Sequence, residues 1–357
     1  MTVDDLLKKP GAWLAPGKDT GTVVSSRIRL ARNLKDAAYP GWAGEEECER
    51  IWQELRPVLE GVKEVASPFA VGMAEMDPVD KQVLFERHLI SREQAEKGKG
   101  SGLVASGDEQ LSIMVNEEDH LRMQSMRPGL DVREAWKILD AVDSAVEKSV
   151  SYAFSNKLGY LTACPTNVGT GMRASVMLHV PGLVLMNEIN PIVKGVSKIG
   201  LAVRGLWGEG TEAIGNMFQI SNQISLGDKE EHIIANLEQI VLEIVEHEKN
   251  ARARLLERKE SILRDHVGRA YGILSHAHIL TSKEALDLLS GLRLGIDLGI
   301  LSTLNRRVID ELLLMTQPGH LQKVEGKKLK AKDRDRSRAG LVRAKLDEAE
   351  TGAPGSN

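Results

Sequence analysis

The stretch Cys164-Pro-Thr-Asn-Val-Gly-Thr-Gly-Met-Arg173-Ala-Ser175 concentrates more reactive chemistry than any other part of the chain. It places a thiol, a glycine-rich turn and an arginine within ten residues. Acidic clusters flank it, Asn116-Glu-Glu-Asp119 upstream and Arg204-Gly-Leu-Trp-Gly-Glu209 downstream. Arg27, Arg29, Arg122, Arg173 and Arg204 each sit beside small residues in a strand-like or turn context. A guanidinium is planar, always charged and bidentate toward phosphate oxygens, so several converging would neutralise a triphosphate without a P-loop. Any one of these arginines is more often a solvated surface group, and the argument rests on their association. Gly98-Lys-Gly-Ser-Gly102 lacks the Gly-Lys-[Ser/Thr] ending of a P-loop and reads as a connector.

The carboxylates supply the opposite charge. Glu117, Glu118 and Asp119 follow an apolar strand, and such a run is ordinarily a solvated strand end. Glu209 lies between glycines that suggest a tight, presenting loop. Should Glu118 and Glu209 meet, they would clamp both edges of a guanidinium acceptor, and one would take its proton as phosphorus is attacked. A guanidinium has a pKa above about 12 and a poor lone pair, so alignment and a nearby base are what such a transfer requires. Glu118 is the favoured base, although the pair acting together stays open. Cys164 is either a thiolate tuning the acceptor or a pocket wall; as a lone cysteine it does not suggest zinc. His88, within Glu86-Arg87-His88, is by itself an ordinary helical histidine.

These groups need a scaffold. Residues 1–20 read as an irregular lead-in, Val23–Leu34 as a strand, and Glu45–Leu59 and Pro78–Glu96 as helices. Leu103–Ser106 and Leu111–Asn116 alternate as a hairpin, Val132 to Val146 marks an amphipathic helix, and Val176, Leu178 and Val180 alternate again. Hairpins separated by long helices, with no βαβ rhythm, predict an α+β domain with a largely antiparallel sheet flanked by helices. From Ile233 to Leu314 the pattern is helical throughout, so an all-α C-terminal domain follows. Thr281 with Glu284 suggests a capping box, and Gly272, Gly291, Gly295 and Gly299 suggest packing or bend points. The expected domains are 1–250 and 251–357, the second offering a dimerisation surface and ending in a Lys/Arg-rich tail.

Composition bounds the rest. The 357 residues are 42% apolar and 27% charged, ordinary for a globular protein of about two domains. A net charge of −4 gives no reason to expect nucleic-acid binding. Two distant cysteines, no signal-like h-region and no apolar run of about 20 residues point to a cytoplasmic chain outside the membrane.

Taken together, these segments resemble the phosphagen (guanidino) kinase family, which includes arginine and creatine kinases. The matching motifs are Ser25-Ser26-Arg27-Ile28-Arg29, Asn116-Glu-Glu-Asp-His-Leu-Arg122, Cys164-Pro-Thr-Asn-Val-Gly-Thr, Arg173-Ala174-Ser175-Val176 and Arg204-Gly205-Leu206-Trp207-Gly208-Glu209, with Ile220-Ser-Asn222 a weaker match. The resemblance covers roughly residues 21–250. It implies that these arginines and their motif neighbours hold the phosphates of ATP, with Mg²⁺ held mainly by the phosphates and no protein metal site. It also implies that Glu118 and Glu209 face the acceptor guanidinium with Cys164 beside it, and that His88 contacts the nucleotide base.

The departures are informative too. Met177 stands where the family usually has histidine, and Phe218-Gln-Ile-Ser-Asn-Gln223 replaces Tyr-Asp-Ile-Ser-Asn-Lys. Only 24 residues precede Ser25, where small-molecule members carry a helical domain of about a hundred residues that helps enclose a free substrate. An open acceptor site and an extra helical domain resemble the family's bacterial protein-arginine kinase branch. Arg334-Asp335-Arg-Ser-Arg338-Ala339 resembles that branch's phosphoarginine-binding element, although composition alone would read it as a solvated charged tail. The branch implies protein substrates with exposed arginines, an activator subunit, a Clp ATPase and a stress-response setting. A free-arginine kinase and a nonenzymatic nucleotide-binding adaptor are the alternatives.

Overall fold

The computed structural model describes residues 2–17, 21–206 and 214–351. The strands are β1 Val23–Arg32, β2 Phe69–Gly72, β3 Gly102–Ala105, β4 Leu111–Val115, β5 Leu121–Pro128, β6 Phe154–Ser155, β7 Gly159–Tyr160, β8 Met172–His179, β9 Leu201–Gly205 and β10 Met217–Asn222. Helices α1 Val3–Leu7, α2 Glu45–Glu60, α3 Pro78–Glu86, α4 Arg92–Glu96, α5 Val132–Glu147, α6 Pro181–Leu185 and α7 Ile189–Lys198 intersperse them. The C-terminal part is helical: α8 Glu230–Arg258, α9 Glu260–His276, α10 Ser282–Asp297, α11 Arg306–Met315, α12 Pro318–Val324 and α13 Ala331–Thr351.

Eight strands form one sheet in the order β2-β3-β4-β5-β1-β8-β10-β9, and β6 pairs with β7 apart from it. The pairs β1/β5, β2/β3, β3/β4 and β4/β5 are antiparallel, which agrees with the hairpin pattern of the sequence. Two compact units emerge from the chain's internal contacts. The first comprises Met1–Val176, Ile199–Ala202 and Ile220–Val241, and the second Met177–Lys198, Val203–Gln219 and Leu242–Asn357.

In the first unit, register decides which residues share a face. Arg27 lies opposite Met126, Arg29 opposite Gln124 and Ala31 opposite Arg122, while Met114 on β4 opposes Arg122. Cross-strand partners share a side, so Arg27, Arg29, Arg122, Gln124 and Met114 stand on one face. On this face α1, α3 and residues 89–90 cover the β2–β4 half with Leu6, Val83, Leu84, Leu89 and Ile90. The opposite face receives α5, whose Val132, Ala135, Leu139, Val142 and Val146 are buried. Burying a large apolar side chain of this kind contributes about 1.5–3 kcal/mol.

Two expectations need correction. The N-terminal lead-in is not irregular throughout. Thr2 and Asp5 close a capping box that starts α1 and drives Leu6 into the core. The helix expected over 78–96 is broken, because α3 ends at Glu86 and Ser91 caps a new helix by accepting from the Gln94 amide at 3.0 Å. His88 sits in the break with a left-handed φ of 60°.

In the second unit, Leu255, Leu263, Val267 and Leu294 form a core from α8, α9 and α10. Gly291 and Gly295 let α9 and α10 approach closely; a Cβ on Gly295 would lie 2.5 Å from Val267 Cγ1. Gly272 faces open space and is no packing point. A polar network lies inside the unit. Glu248 is fully buried and accepts from the Gly182 and Leu183 amides, each at 2.9 Å, and from Arg252 Nε at 2.6 Å. His179 Nε2 and Asn216 Nδ2 each lie 2.8 Å from Ser290 Oγ.

Candidate active site

Alternation along β1 sorts its motif. Arg27 and Arg29 occupy one face and are half-buried, whereas Ser26 and Ile28 point to the other and are fully buried. The Ser26 hydroxyl donates to Gly129 O at 2.7 Å and accepts from the Asp131 amide at 3.0 Å, so it anchors the strand to the start of α5. Ser26 and Ile28 therefore do not bring side chains to the arginine face, and their part there is confined to backbone.

Arg27, Arg29, Arg122 and Arg173 lie close enough to act on one another's charge. Burial, then Arg122 and Arg173, pushes the Arg27 guanidinium down to about 10. Burial, then the charges of Arg27, Arg122 and Arg173, lowers Arg29 as well. Arg29 Nε is buried with no hydrogen-bond partner among the described residues. Two buried guanidiniums, Arg27 and Arg29, whose charged forms are disfavoured call for a polyanion. Ser175 Oγ donates to Arg27 O at 3.4 Å, and the Ala174 amide donates to Asn222 Oδ1 at 2.8 Å, which tie β8 to its neighbours beside Arg173. Val176 and Met177 are buried.

His88 adjoins this cluster. Burial, then the charges of Arg27 and Arg29, lowers its pKa to about 3, so the imidazole is neutral. Its ring packs edge-on against Trp13 at 4.8 Å between centroids, and its carbonyl accepts from Gln124 of the arginine face.

The acidic run resolves into three roles. Residues 116–120 form the turn between β4 and β5, which Asn116, at φ 55°, closes by donating its backbone amide to His120 O at 3.0 Å. Glu117 is buried and pairs with Arg122 and the Ser91 hydroxyl. Burial alone would raise its pKa, yet the Arg122 charge and these hydrogen bonds outweigh it and leave the carboxylate lowered. Asp119 is also buried and accepts from Asn33 Nδ2 at 2.6 Å and from the Ala163 amide at 2.7 Å. His120 is fully buried; its Nδ1 accepts from the Leu34 amide at 3.1 Å, leaving Nε2 to donate to Ala38 O at 3.0 Å. Glu118 alone is exposed. Partial burial, then the charges of Asp119 and Glu117, raises its pKa. A carboxylate with raised proton affinity on a rigidly tethered turn is suited to accept a proton.

The Asp119–Ala163 bond links this turn to the segment carrying Cys164. Cys164 opens the short helix Pro165–Asn167, and its Sγ lies 3.0 Å from Thr166 Oγ1. Cys48 and Cys164 are both free. Asn33, Asp119 and His120 form a node that motif reading missed as a unit, because the partners lie 86 and 87 residues apart in sequence and no local signal joins them. Ser91 was missed for the same reason.

Arg204 lies on β9 in the second unit, where it is exposed, and Gly205 and Leu206 are buried. Trp207, Gly208 and Glu209 lie outside the described residues. At the C-terminus, Arg338 is buried. Its Nε donates to Thr316 O and its Nη1 to Leu280 O and Asp335 Oδ1, each at 2.7 Å. Arg334 Nη1 donates to Leu329 O at 2.8 Å. Arg338 and Asp335 thus hold α13 to the ends of neighbouring helical segments rather than forming a solvated tail. No helix among the described residues is long and apolar enough to cross a membrane.

Comparison with known proteins agrees with this geometry. Residues 51–251 match the ATP:guanido phosphotransferase C-terminal catalytic domain, and residues 260–356 match the protein-arginine kinase McsB C-terminal domain. The protein-arginine kinase of Halothermothrix orenii is 45% identical over 97% of this chain and 100% of its own length. That of Halalkalibacterium halodurans is 47% identical over 92% of this chain and 93% of its own. Among solved structures, lombricine kinase aligns with a TM-score of 0.58 and 26% identity over 69% of this chain and 71% of its own. The duplicated taurocyamine kinase of Schistosoma mansoni aligns at 0.60 and 29% identity over 68% of this chain, which spans only 35% of that longer one. The chain belongs to the ATP:guanido phosphotransferase, or phosphagen kinase, family and within it to the protein-arginine kinase branch.

Proposed function

We propose that the protein transfers the γ-phosphoryl group of ATP to the guanidinium of arginine side chains in proteins. One observation carries the reading: an exposed carboxylate of raised proton affinity, Glu118, stands on a turn tied through Glu117 to Arg122, whose neighbours Arg27 and Arg29 are disfavoured as buried cations. Arg27, Arg29, Arg122 and Arg173 take the triphosphate oxygens, a role that the family resemblance extends to Arg204. The acceptor guanidinium nitrogen forms its bond to phosphorus as the bond from phosphorus to the ADP oxygen breaks, and its proton passes to Glu118. Glu209 holds the other edge of the guanidinium, and Cys164 borders it. Neutral His88 offers an edge for the nucleotide base. Mg²⁺ would be carried mainly by the triphosphate itself. Bound there, it would offset charge on the transferred group.

Full-length similarity to protein-arginine kinases supports a protein-borne acceptor over free arginine. To this reading belong a homodimer, an activator subunit, a Clp-type ATPase as partner, and work in a cytoplasmic stress response. A phosphoarginine-binding role for Arg334, Asp335 and Arg338 would be served by the half-buried Arg334 and Asp335, since Arg338 is enclosed. The domains at 1–250 and 251–357 would divide catalysis from these contacts. Incubation with ATP and casein, followed by mass spectrometry under conditions that preserve P–N bonds, tests the reading. Acid-labile phosphate on arginine is expected, and turnover of free arginine alone would favour the small-molecule alternative.

A further inference from the structure

Three exposed apolar side chains of the first unit have no place in the mechanism above: Trp42 at 91% exposure, Phe154 at 56% and Leu158 at 41%. Isolated exposed apolar residues are common, but a tryptophan almost wholly in water is not. Both supporting elements lead back to the Glu118 turn. Trp42 tops a tight turn in which the Trp42 and Ala43 amides donate to Tyr39 O at 2.7 and 2.9 Å. Tyr39 packs edge-on against His120, and the His120 amide and Asp119 both bond to Asn33. On the other side, the Ala153 amide donates to Asn33 O at 2.7 Å, which fixes the β6–β7 hairpin to the same asparagine.

The hairpin is rigid beneath its exposed tip. Phe154 stacks edge-on upon Tyr160 at 5.2 Å between centroids, and the Arg32 guanidinium lies 3.5 Å from the Tyr160 ring centroid. Arg32 is in turn buried and doubly bonded to Asp143. Rigid aromatic side chains that surrender little conformational freedom are the usual anchors of protein recognition. Charge complements them: Glu45 and Glu46, just beyond Trp42 at the start of α2, are exposed, as is Glu118.

We infer that Trp42 and Phe154 form a docking rim for the protein substrate, holding apolar residues that flank the target arginine in an extended, cationic segment. This inference rests on the arginine-kinase reading and adds a specificity to it. The rim grips side chains that a folded substrate keeps in its core, so it favours arginines in unfolded or locally opened protein.

The test compares two nine-residue peptides with a single central arginine, one flanked by alanine and serine, the other carrying leucine at several flanking positions. The wild-type chain is expected to prefer the leucine peptide by about tenfold in kcat/KM, the effect of one well-packed anchor. Trp42→Ala with Phe154→Ala abolishes the preference, and Trp42→Phe retains most of it. Equal use of both peptides by the wild type, or survival of the preference in the double variant, overturns the inference. So does a fall in sedimentation mass on Trp42→Ala with the preference intact, which would make the rim a contact between copies of the chain. If the wild type phosphorylates neither peptide nor casein, the arginine-kinase reading fails instead.

Discussion

Replacing Asp119 by asparagine separates positioning from folding at this site. The carboxylate accepts from Asn33 Nδ2 at 2.6 Å and from the Ala163 amide at 2.7 Å. Both bonds end on the same oxygen, Oδ1, so an asparagine can keep both only as a neutral acceptor, and charge-assisted bonds are about twice as strong. Asn33 has no freedom to turn, because its Oδ1 accepts the His120 amide at 2.9 Å and its Nδ2 also reaches Leu161 O at 3.1 Å. Halving two hydrogen bonds to a charged group costs about as much as losing one, about 1.5–3 kcal/mol. The substitution also removes the burial penalty that raises the Asp119 pKa, a gain opposite in sign to that loss. Net stability should change by no more than about 1–2 kcal/mol, a shift of a few degrees in Tm. Catalysis should suffer more, since a misplacement of about 1 Å in a reacting group can cost on the order of 100-fold. Single-turnover measurement of phosphoarginine is expected to give kcat down about 100-fold, about 2.7 kcal/mol, with KM for ATP little changed. If kcat stays within about threefold of wild type while hydrogen exchange at the 116–120 turn quickens, Glu118 does not depend on this node and the reasoning is wrong.

Glu118→Gln should lower kcat by about 10²–10⁴-fold with ATP binding intact, as measured by titration calorimetry beside steady-state rates. Because the carboxyl must be ionised to accept a proton and its pKa is raised above 4.5, the acidic limb of kcat/KM lies above that value, and activity falls as pH falls through it. Pyrophosphate or ATP without acceptor should raise Tm by relieving repulsion among Arg27, Arg29, Arg122 and Arg173, by about 2.7 kcal/mol at 100 times Kd. Arg29→Ala should shrink that gain, and a gain unchanged in the variant would place the phosphates elsewhere. Asp143→Ala should cost about 3–5 kcal/mol in chemical denaturation, since Arg32 is buried and would lose its counter-ion; adding Arg32→Met should restore part of it.

Much of the site could be read from local sequence. Alternation in Val23–Arg32 put Arg27 and Arg29 on one face, and the apolar periodicity of α5 and of the C-terminal helices fixed their classes, because each pattern records one element meeting one core. The motif residues likewise carried the family. What only the folded chain decided are the contacts between distant segments. Glu117, Glu118 and Asp119 look alike in sequence, yet Arg122, solvent and Asn33 give them three different fates. Arg338 reads as part of a basic tail but is sealed among the carbonyls of Thr316 and Leu280. A side chain's charge and hydrogen-bonding capacity are set by its type, but whether it is buried, paired or left facing water depends on partners that only tertiary packing brings near.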